Sequence, residues 1–349
     1  MTMPMNPSET DANLGLSEAA IKLGRLIPGY LVSRAIHVAA ELDLADHLRD
    51  DDKSCGELAA LCGAHASTLS RLMGLLVSLG VFAENNGRFS NNAVSALLRS
   101  DVPQSMRGWA RMIGADFQWS STQALMHSVQ TGESAFQHVY GEDLFSYLSH
   151  NAGAAQLFDE AMVNGSNLMN RAILDAYDFS GFTTLVDIAG GYGSTLCAVL
   201  SSHPNLRGTL FDLPHVIAKA QAFVASKGLT ARCALVSGNF METVPDGADA
   251  YFMKHIIHDW DDERCLKLLR RCHAAMPAHA KLLICEKVLS QDNAPAYVHI
   301  ADLLMLINTP GGRERTEPEF RALLEKTGFH LIRAIPTKLE NWILEVEKA

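Results

Sequence analysis

The segment Thr184-Leu185-Val186-Asp187-Ile188-Ala189-Gly190-Gly191-Tyr192-Gly193 decides how the chain is read. It begins as a short apolar run and ends in a glycine-rich stretch, the pattern of a buried strand that turns sharply into a helix. Outward from it, Gly208 to Phe211, Ala234 to Val236, Ala250 to Lys254 and Lys281 to Cys285 repeat the apolar run. Between these lie the helical stretches Thr195 to Ser202, Val216 to Ser226 and Asp262 to Met276. Strand and helix in alternation predict a doubly wound α/β sheet of parallel strands over residues 181–349. In such a sheet the ligand sits beyond the carboxyl ends of the strands.

Those ends define a ligand. The turn at Asp187, Ala189, Gly190, Gly191 and Gly193 lets a cofactor approach bare backbone, although Leu196 stands where a dinucleotide fingerprint needs its third glycine. The second strand ends in Phe211-Asp212-Leu213-Pro214, and the two carboxylate oxygens of Asp212 suit both hydroxyls of a ribose. A glycine turn plus a ribose acid, without phosphate fingerprint, fits S-adenosylmethionine better than NAD. Asp187 reads either as a partner for a cationic methionine portion or as a helix N-terminal carboxylate. Asn239 and Phe240, after the third strand, read either as adenine contacts or as a turn Asn and a core Phe.

The first half is helical. Apolar residues recur at helical spacing from Leu16 to Leu48, broken at Pro28-Gly29. Ser54 with Glu57 reads as a capping pair for a helix stopped by Gly63, and Ser67 to Leu79 forms a second apolar face. Asn85-Asn86-Gly87 then joins two short strands as a hairpin. Helix, helix, hairpin is a winged-helix pattern, but residues 1–100 hold eight Lys or Arg against eleven Asp or Glu, a net of −3. That sign favours a scaffold or dimerisation module over a DNA-binding, ligand-sensing regulator. The expected layout is a disordered start over 1–13, a winged-helix-like domain over 14–104, and a helical, substrate-lining segment over 105–180 that leads into the sheet.

The whole chain of 349 residues has a formal charge of −10, which argues against nucleic acid as a partner. No apolar run is long enough to span a bilayer and the start is polar, so a cytoplasmic protein is expected. Seven scattered cysteines, none spaced C-x-x-C, predict reduced thiols rather than disulfides or a zinc ribbon.

Met253-Lys254-His255-Ile256-Ile257-His258-Asp259-Trp260 and Pro310-Gly311-Gly312-Arg313-Glu314-Arg315-Thr316 are distinctive together. With them the sequence resembles the plant-type small-molecule O-methyltransferases, the caffeate and hydroxyindole family, and in particular its bacterial natural-product branch. The resemblance covers about residues 16–349. It implies a Rossmann-like methyltransferase sheet, an all-helical, winged-helix-like dimerisation domain, an intertwined homodimer, and S-adenosylmethionine as methyl donor to a hydroxylated aromatic acceptor. Relatives that use the fold for hydroxylation, decarboxylation or pericyclic chemistry make the alternative.

Residue by residue, the resemblance implies His258 as catalytic base, with Glu286, after the strand Leu282 to Cys285, and Glu314 as its flanking acids. It implies the glycine turn, Asp212, Leu213, Asn239, Phe240 and Lys254 around the cofactor, with Ser166 beside it. Phe158, Met162, Asp259, Met305 and Asn308 are expected to face the acceptor. Two positions depart from the family: Ala189 stands in place of a glycine, tolerable with a negative φ, and Asn239 replaces an Asp while keeping an acceptor oxygen. An imidazole of ordinary pKa, neutral at pH 7, suits a general base, held by Glu286 or Glu314. His255 and His258, spaced i, i+3, raise a metal site, but no third and fourth ligand follow at useful spacing, and no metal is expected.

Overall fold

The structure is a computed structural model describing residues 16–290 and 295–349. The stretch 1–13, expected to be disordered, lies outside the described residues. The chain divides into two compact units, Met1–Val102 and Pro103–Ala349.

In the first unit α1 (Leu16–Leu26) and α2 (Gly29–Glu41) flank the expected break at Pro28. They are followed by α3 (Leu44–His47), β1 (Lys53–Ser54), α4 (Cys55–Cys62) and α5 (Ala66–Ser78). The capping box forms as read: Ser54 and Glu57 cap α4 reciprocally, and Gly63 ends it in the left-handed region. Asn86 and Gly87, at φ of 51° and 76°, turn β2 (Phe82–Asn85) back onto β3 (Arg88–Asn91), giving a small antiparallel sheet of order β1-β3-β2. Helix α1 buries none of its residues, and Leu16, Ile21, Leu23 and Leu26 are all more than half exposed.

The second unit opens with α6 (Arg107–Gly114), α7 (Asp116–Gln123), α8 (Leu125–Thr131), α9 (Ala135–Tyr140), α10 (Leu144–His150) and the long α11 (Ala152–Ala176). The sheet follows: β4 (Thr184–Ile188), α12 (Ser194–Ser202), β5 (Arg207–Asp212), α13 (Pro214–Ser226), β6 (Cys233–Ser237), β7 (Ala250–Lys254), α14 (Asp262–Ala275) and β8 (Lys281–Leu289). It is completed by α15 (Ala296–Asn308), β9 (Arg315–Thr316), α16 (Glu317–Glu325), β10 (Phe329–Pro336) and β11 (Asn341–Lys348). The strand order is β10-β11-β8-β7-β4-β5-β6, with β9 pairing β8.

Three readings need correction. The sheet is mixed: β11 runs antiparallel to β8 and to β10, because a hairpin rather than a crossover closes this edge. β6 is an edge strand whose Ala234 and Val236 are exposed, so its apolar run does not mark a fully buried strand. Glu286 lies within β8, not after it.

Alternate residues along the strands feed two cores. Val186, Ile188, Tyr251 and Met253 meet Leu268 and Leu269 of α14 and Phe320 of α16 on one face. Leu185, Leu210, Phe252 and Leu283 meet Val199 of α12 and Val224 of α13 on the other. Each such Leu or Val contributes about 1.5–3 kcal/mol of burial, so both faces are firmly held and the strand ends are left as a rigid rim. All seven cysteines are free, five of them buried. Among the described residues no single helix is long and apolar enough to cross a membrane.

Candidate active site

At the end of β4 the chain makes the expected turn, but Ala189 sits at φ +53°. The negative φ anticipated for its methyl group is overturned, and the alanine occupies the left-handed conformation that glycine adopts without strain. At Gly190 a side chain is strongly disfavoured, since a Cβ there would collide with the Asp187 carboxylate and Leu210 and force them to shift. Asp187 is 2% exposed, and its Oδ2 has no hydrogen-bond partner. Burial pushes its carboxyl up to about 7, against the pull of Lys254. With Ala189, Gly190, Lys254 and Thr195, whose hydroxyl is also unpartnered, it lines a small cavity. A buried acid with a bare oxygen beside a bare backbone fits a ligand that brings a cation.

Asp212 accepts the Gly191 N–H at 2.8 Å on one oxygen and the Leu213 N–H at 2.7 Å on the other. These bonds aim the carboxylate out of the strand end and leave a lone pair on each oxygen for a diol. Asn239 uses its Oδ1 to accept the Met241 N–H at 2.9 Å. One lone pair of that oxygen is used in the turn, which leaves its second lone pair and the amide nitrogen for a ligand. Phe240 packs against the core and meets Trp260 edge-on, ring centroids 6.1 Å apart. Lys254 donates to Ser166 Oγ at 2.9 Å, with burial lowering its pKa.

Helix α11 is fastened over these strand ends. Besides Ser166 to Lys254, Ser194 at the start of α12 donates to Asn167 Oδ1 and accepts from Asn170. Asp159 accepts from Tyr192 of the glycine turn at 2.7 Å and from Lys219 of α13 at 2.8 Å. None of Asp159, Asn167, Asn170 or Lys219 was singled out by sequence reasoning, because no spacing rule links α11 to residues 24–60 positions away. Trp260 was also missed, although it adjoins Asp259: it stacks on Phe145 at 6.0 Å, and Phe145 meets Phe158 edge-on. Phe158, Phe145, Trp260 and Phe240 thus run as one line of aromatic contacts.

The second centre follows β7. His258 sits in a short turn, buried, with Nδ1 2.9 Å from Glu314 Oε1 and 3.7 Å from Glu286 Oε2. Of the two acids offered for holding the ring, Glu314 is the one in hydrogen-bond range. Glu286 works on the backbone instead, its Oε1 accepting the N–H groups of Ile256 and Ile257 at 2.8 Å each. Asp259 Oδ1 lies 3.7 Å from Nε2, the other ring nitrogen.

The Gly-Gly-Arg-Glu-Arg stretch explains this precision. Gly312 comes so close to the 258–259 backbone that a Cβ would collide with the His258 carbonyl. The Arg313 N–H donates to that carbonyl at 2.8 Å. Arg315, fully buried, donates to the carbonyls of Ile257 and Trp260 and to Asp262. Glu314 is delivered to the ring between these two anchors.

Burial disfavours charge on His258, but Glu286, Asp259 and Glu314 together outweigh it and push the imidazole up to about 9. The expectation of an ordinary, neutral imidazole at pH 7 is therefore corrected. Burial likewise raises Asp259 to about 7 and raises Glu286. His258, Glu286 and Glu314 present ligand atoms within 4.8 Å of one another. The lack of a third ligand, on which the case against a metal stood, does not hold: the acids come from distant segments. His255, the other histidine considered as a ligand, turns its Nε2 to Asn341 Oδ1 at 2.9 Å.

Of the expected acceptor-facing residues, Met162 is 37% exposed, Met305 is half-buried, and Asn308 is buried with its Oδ1 unpartnered. Met305 and Asn308, three apart, share one face of α15.

Residues 122–330 match the O-methyltransferase domain family and 25–101 match the O-methyltransferase dimerisation domain. A phenazine O-methyltransferase of Lysobacter antibioticus is 43% identical over 314 residues, covering 90% of this chain and 92% of that one. A mitomycin biosynthesis 6-O-methyltransferase of Streptomyces lavendulae is 38% identical over 338 residues, 96% of each. The solved structure of human N-acetylserotonin methyltransferase in complex with S-adenosylmethionine superposes with a TM-score of 0.88 at 25% identity, covering 96% of this chain and all of that one. The chain belongs to the O-methyltransferase family, and it is an S-adenosylmethionine-dependent small-molecule O-methyltransferase with its dimerisation domain in front.

Proposed function

We propose that the protein methylates a phenolic hydroxyl on a flat, polycyclic or polyketide-like acceptor, with His258 as general base and without a metal ion. The observation behind this reading is the 2.9 Å contact between His258 Nδ1 and Glu314, which leaves Nε2 as the nitrogen for an acceptor hydroxyl. S-adenosylmethionine, when bound, supplies an electrophilic methyl group on a sulfonium. A phenol with a pKa of about 10 is mostly un-ionised at neutral pH, so its proton has to be removed as the oxygen becomes a nucleophile. The deprotonated fraction of His258, which grows as pH rises toward its raised pKa, takes that proton on Nε2, and Glu314 and Glu286 stabilise the imidazolium that results.

Asp187 is suited to an ammonium group, Asp212 to ribose hydroxyls, and Asn239 and Phe240 to adenine. The line of Phe158, Phe145 and Trp260 suits a flat aromatic acceptor. The relatives named for phenazine O-methylation and for mitomycin biosynthesis support the same acceptor class. The exposed apolar side chains of α1, together with the dimerisation domain, support a homodimer, and the acidic charge speaks against a nucleic-acid partner; a cytoplasmic location is part of the same proposal.

The test is incubation with S-adenosylmethionine and a panel of hydroxyphenazines, naphthols and hydroxybenzoates, with and without a chelator. Product mass and S-adenosylhomocysteine are recorded together. One methyl gained per S-adenosylhomocysteine, undiminished by chelation, is expected. Loss of turnover on chelation, restored by a divalent ion, overturns the metal-free reading.

A further inference from the structure

Immediately after β7 the chain passes through His255 at φ +56°, in the left-handed region that non-glycine residues avoid. Asn, Asp and His tolerate it best, and here several contacts hold the residue in place. Its N–H donates to the Cys285 carbonyl at 3.0 Å, and its ring Nε2 meets Asn341 Oδ1 at 2.9 Å. Asn341 is 2% exposed and turns its amide nitrogen to Met169 Sδ on α11. The outcome of this anchoring is an orientation: the imidazole of His255 lies against that of His258, centroids 5.1 Å apart and planes within 25°.

The two rings have opposite surroundings. His258 has Glu314 and Glu286 on one edge and Asp259 on the other. His255 is half-buried beside Lys287 of β8 and Lys254 of β7, and desolvation, helped by the two lysines, holds its pKa well below the ordinary value. It therefore remains an uncharged aromatic surface whatever His258 does. The hydrogen bond to Glu314 fixes one ring nitrogen, but the terminal torsion of a histidine is broad, and a ring held at one edge still tilts. A second surface against its face removes that freedom, and an aromatic face attracts a cation.

We propose that His255 is a positioning residue for methyl transfer: its ring is a platform that fixes the plane of His258 and stabilises that ring once it holds the acceptor's proton. The inference rests on His258 as the base. Asn and Phe at position 255 separate it from a purely structural role. Asn is the substitution that the left-handed backbone prefers and lacks the ring; Phe keeps the ring, strains the backbone and loses the bond to Asn341.

The full chain is labelled with ring-13C histidine, and the His258 signal is assigned by its loss in His258→Ala. The His258 titration midpoint is then followed by NMR in the wild type, His255→Asn and His255→Phe, beside kcat on the best acceptor of the panel and S-adenosylmethionine binding by calorimetry. The platform predicts that His255→Asn lowers the midpoint by about half a unit to one unit and the high-pH plateau of kcat, where His258 is fully deprotonated, by roughly three- to tenfold, with S-adenosylmethionine affinity unchanged. His255→Phe should recover both. The reverse order, with Asn tolerated, Phe damaging and no change of midpoint, overturns the inference while leaving the base assignment intact. Undiminished turnover in His258→Ala overturns the base assignment and the inference with it.

Discussion

Two groups of buried carboxylates stand at the carboxyl ends of this sheet, and they are compensated in different ways. Around His258, Glu286, Glu314 and Asp259 surround a cation that the protein itself supplies, and the imidazole is pushed up to about 9. Around the glycine turn, Asp187 has Lys254 nearby, yet the lysine donates to Ser166 and Asp187 Oδ2 has no partner. Burial of that incompletely compensated acid raises it to about 7. An internally balanced cluster is ready before any ligand arrives, whereas an unbalanced one completes itself with a ligand's charge. In the proposed function the first handles the proton and the second binds the cofactor, and substitutions should separate them.

The largest separation is expected from His258→Ala. Turnover should fall by about 10²–10⁴ while S-adenosylmethionine still binds in calorimetry. If binding falls equally, the two centres are one energetic unit and the comparison fails. The converse variant, Gly190→Ala, forces a methyl group onto Asp187 and should weaken S-adenosylmethionine binding by about tenfold or more. In that variant the pH midpoint of His258 should stay where it is.

The pH dependence sharpens the contrast. A base raised to about 9 is protonated at neutral pH, so the rate should climb with pH through that region rather than level off above the ordinary histidine range. Stability runs the other way. The group's stabilising contribution is complete below its unfolded pKa of about 6.5 and is lost as pH rises through the folded value. Glu314→Gln removes one of the charges that raise it, and should move the rate limb down by about one unit, seen in a pH–rate profile. The smallest effect belongs to Ala189→Gly, which relieves a left-handed alanine and should raise unfolding free energy by about 0.5 kcal/mol in denaturant titration, the backbone gain being partly offset by glycine's entropy.

The two groups also differ in how far the sequence discloses them. The binding side follows the strand ends: Asp187, Gly190, Gly191 and Asp212 stand where a strand gives way to a turn, and alternation of apolar runs with helices locates those ends, while Lys254, at the end of another strand, is reached only through the resemblance. The proton-handling side is assembled from positions 258, 286 and 314, and only the paired motifs, through family resemblance, bring them together. Beyond that the sequence is silent for physical reasons. The positive φ of Ala189 depends on how tightly the turn doubles back, the choice of Glu314 over Glu286 depends on where Arg315 pins the loop, and the pKa of His258 depends on three acids from separate elements. The β10–β11 hairpin escapes notice because the alternation of β10 is lost after the bulge between Leu331 and Arg333, which leaves too short a regular stretch to read. Asp159 and Tyr192 meet only once α11 has docked.

The anchoring of the base loop by Gly312 and Arg315 bears on how variants of this enzyme should be judged. Neither residue is placed to exchange a proton, yet one leaves no room for a side chain and the other holds two carbonyls of the turn from a fully buried position. A survey of single substitutions scored by product alone would rank them beside His258 and enlarge the apparent catalytic set. Scored also by the amount of folded protein, the same survey divides into positions that do the chemistry and positions that keep it in register.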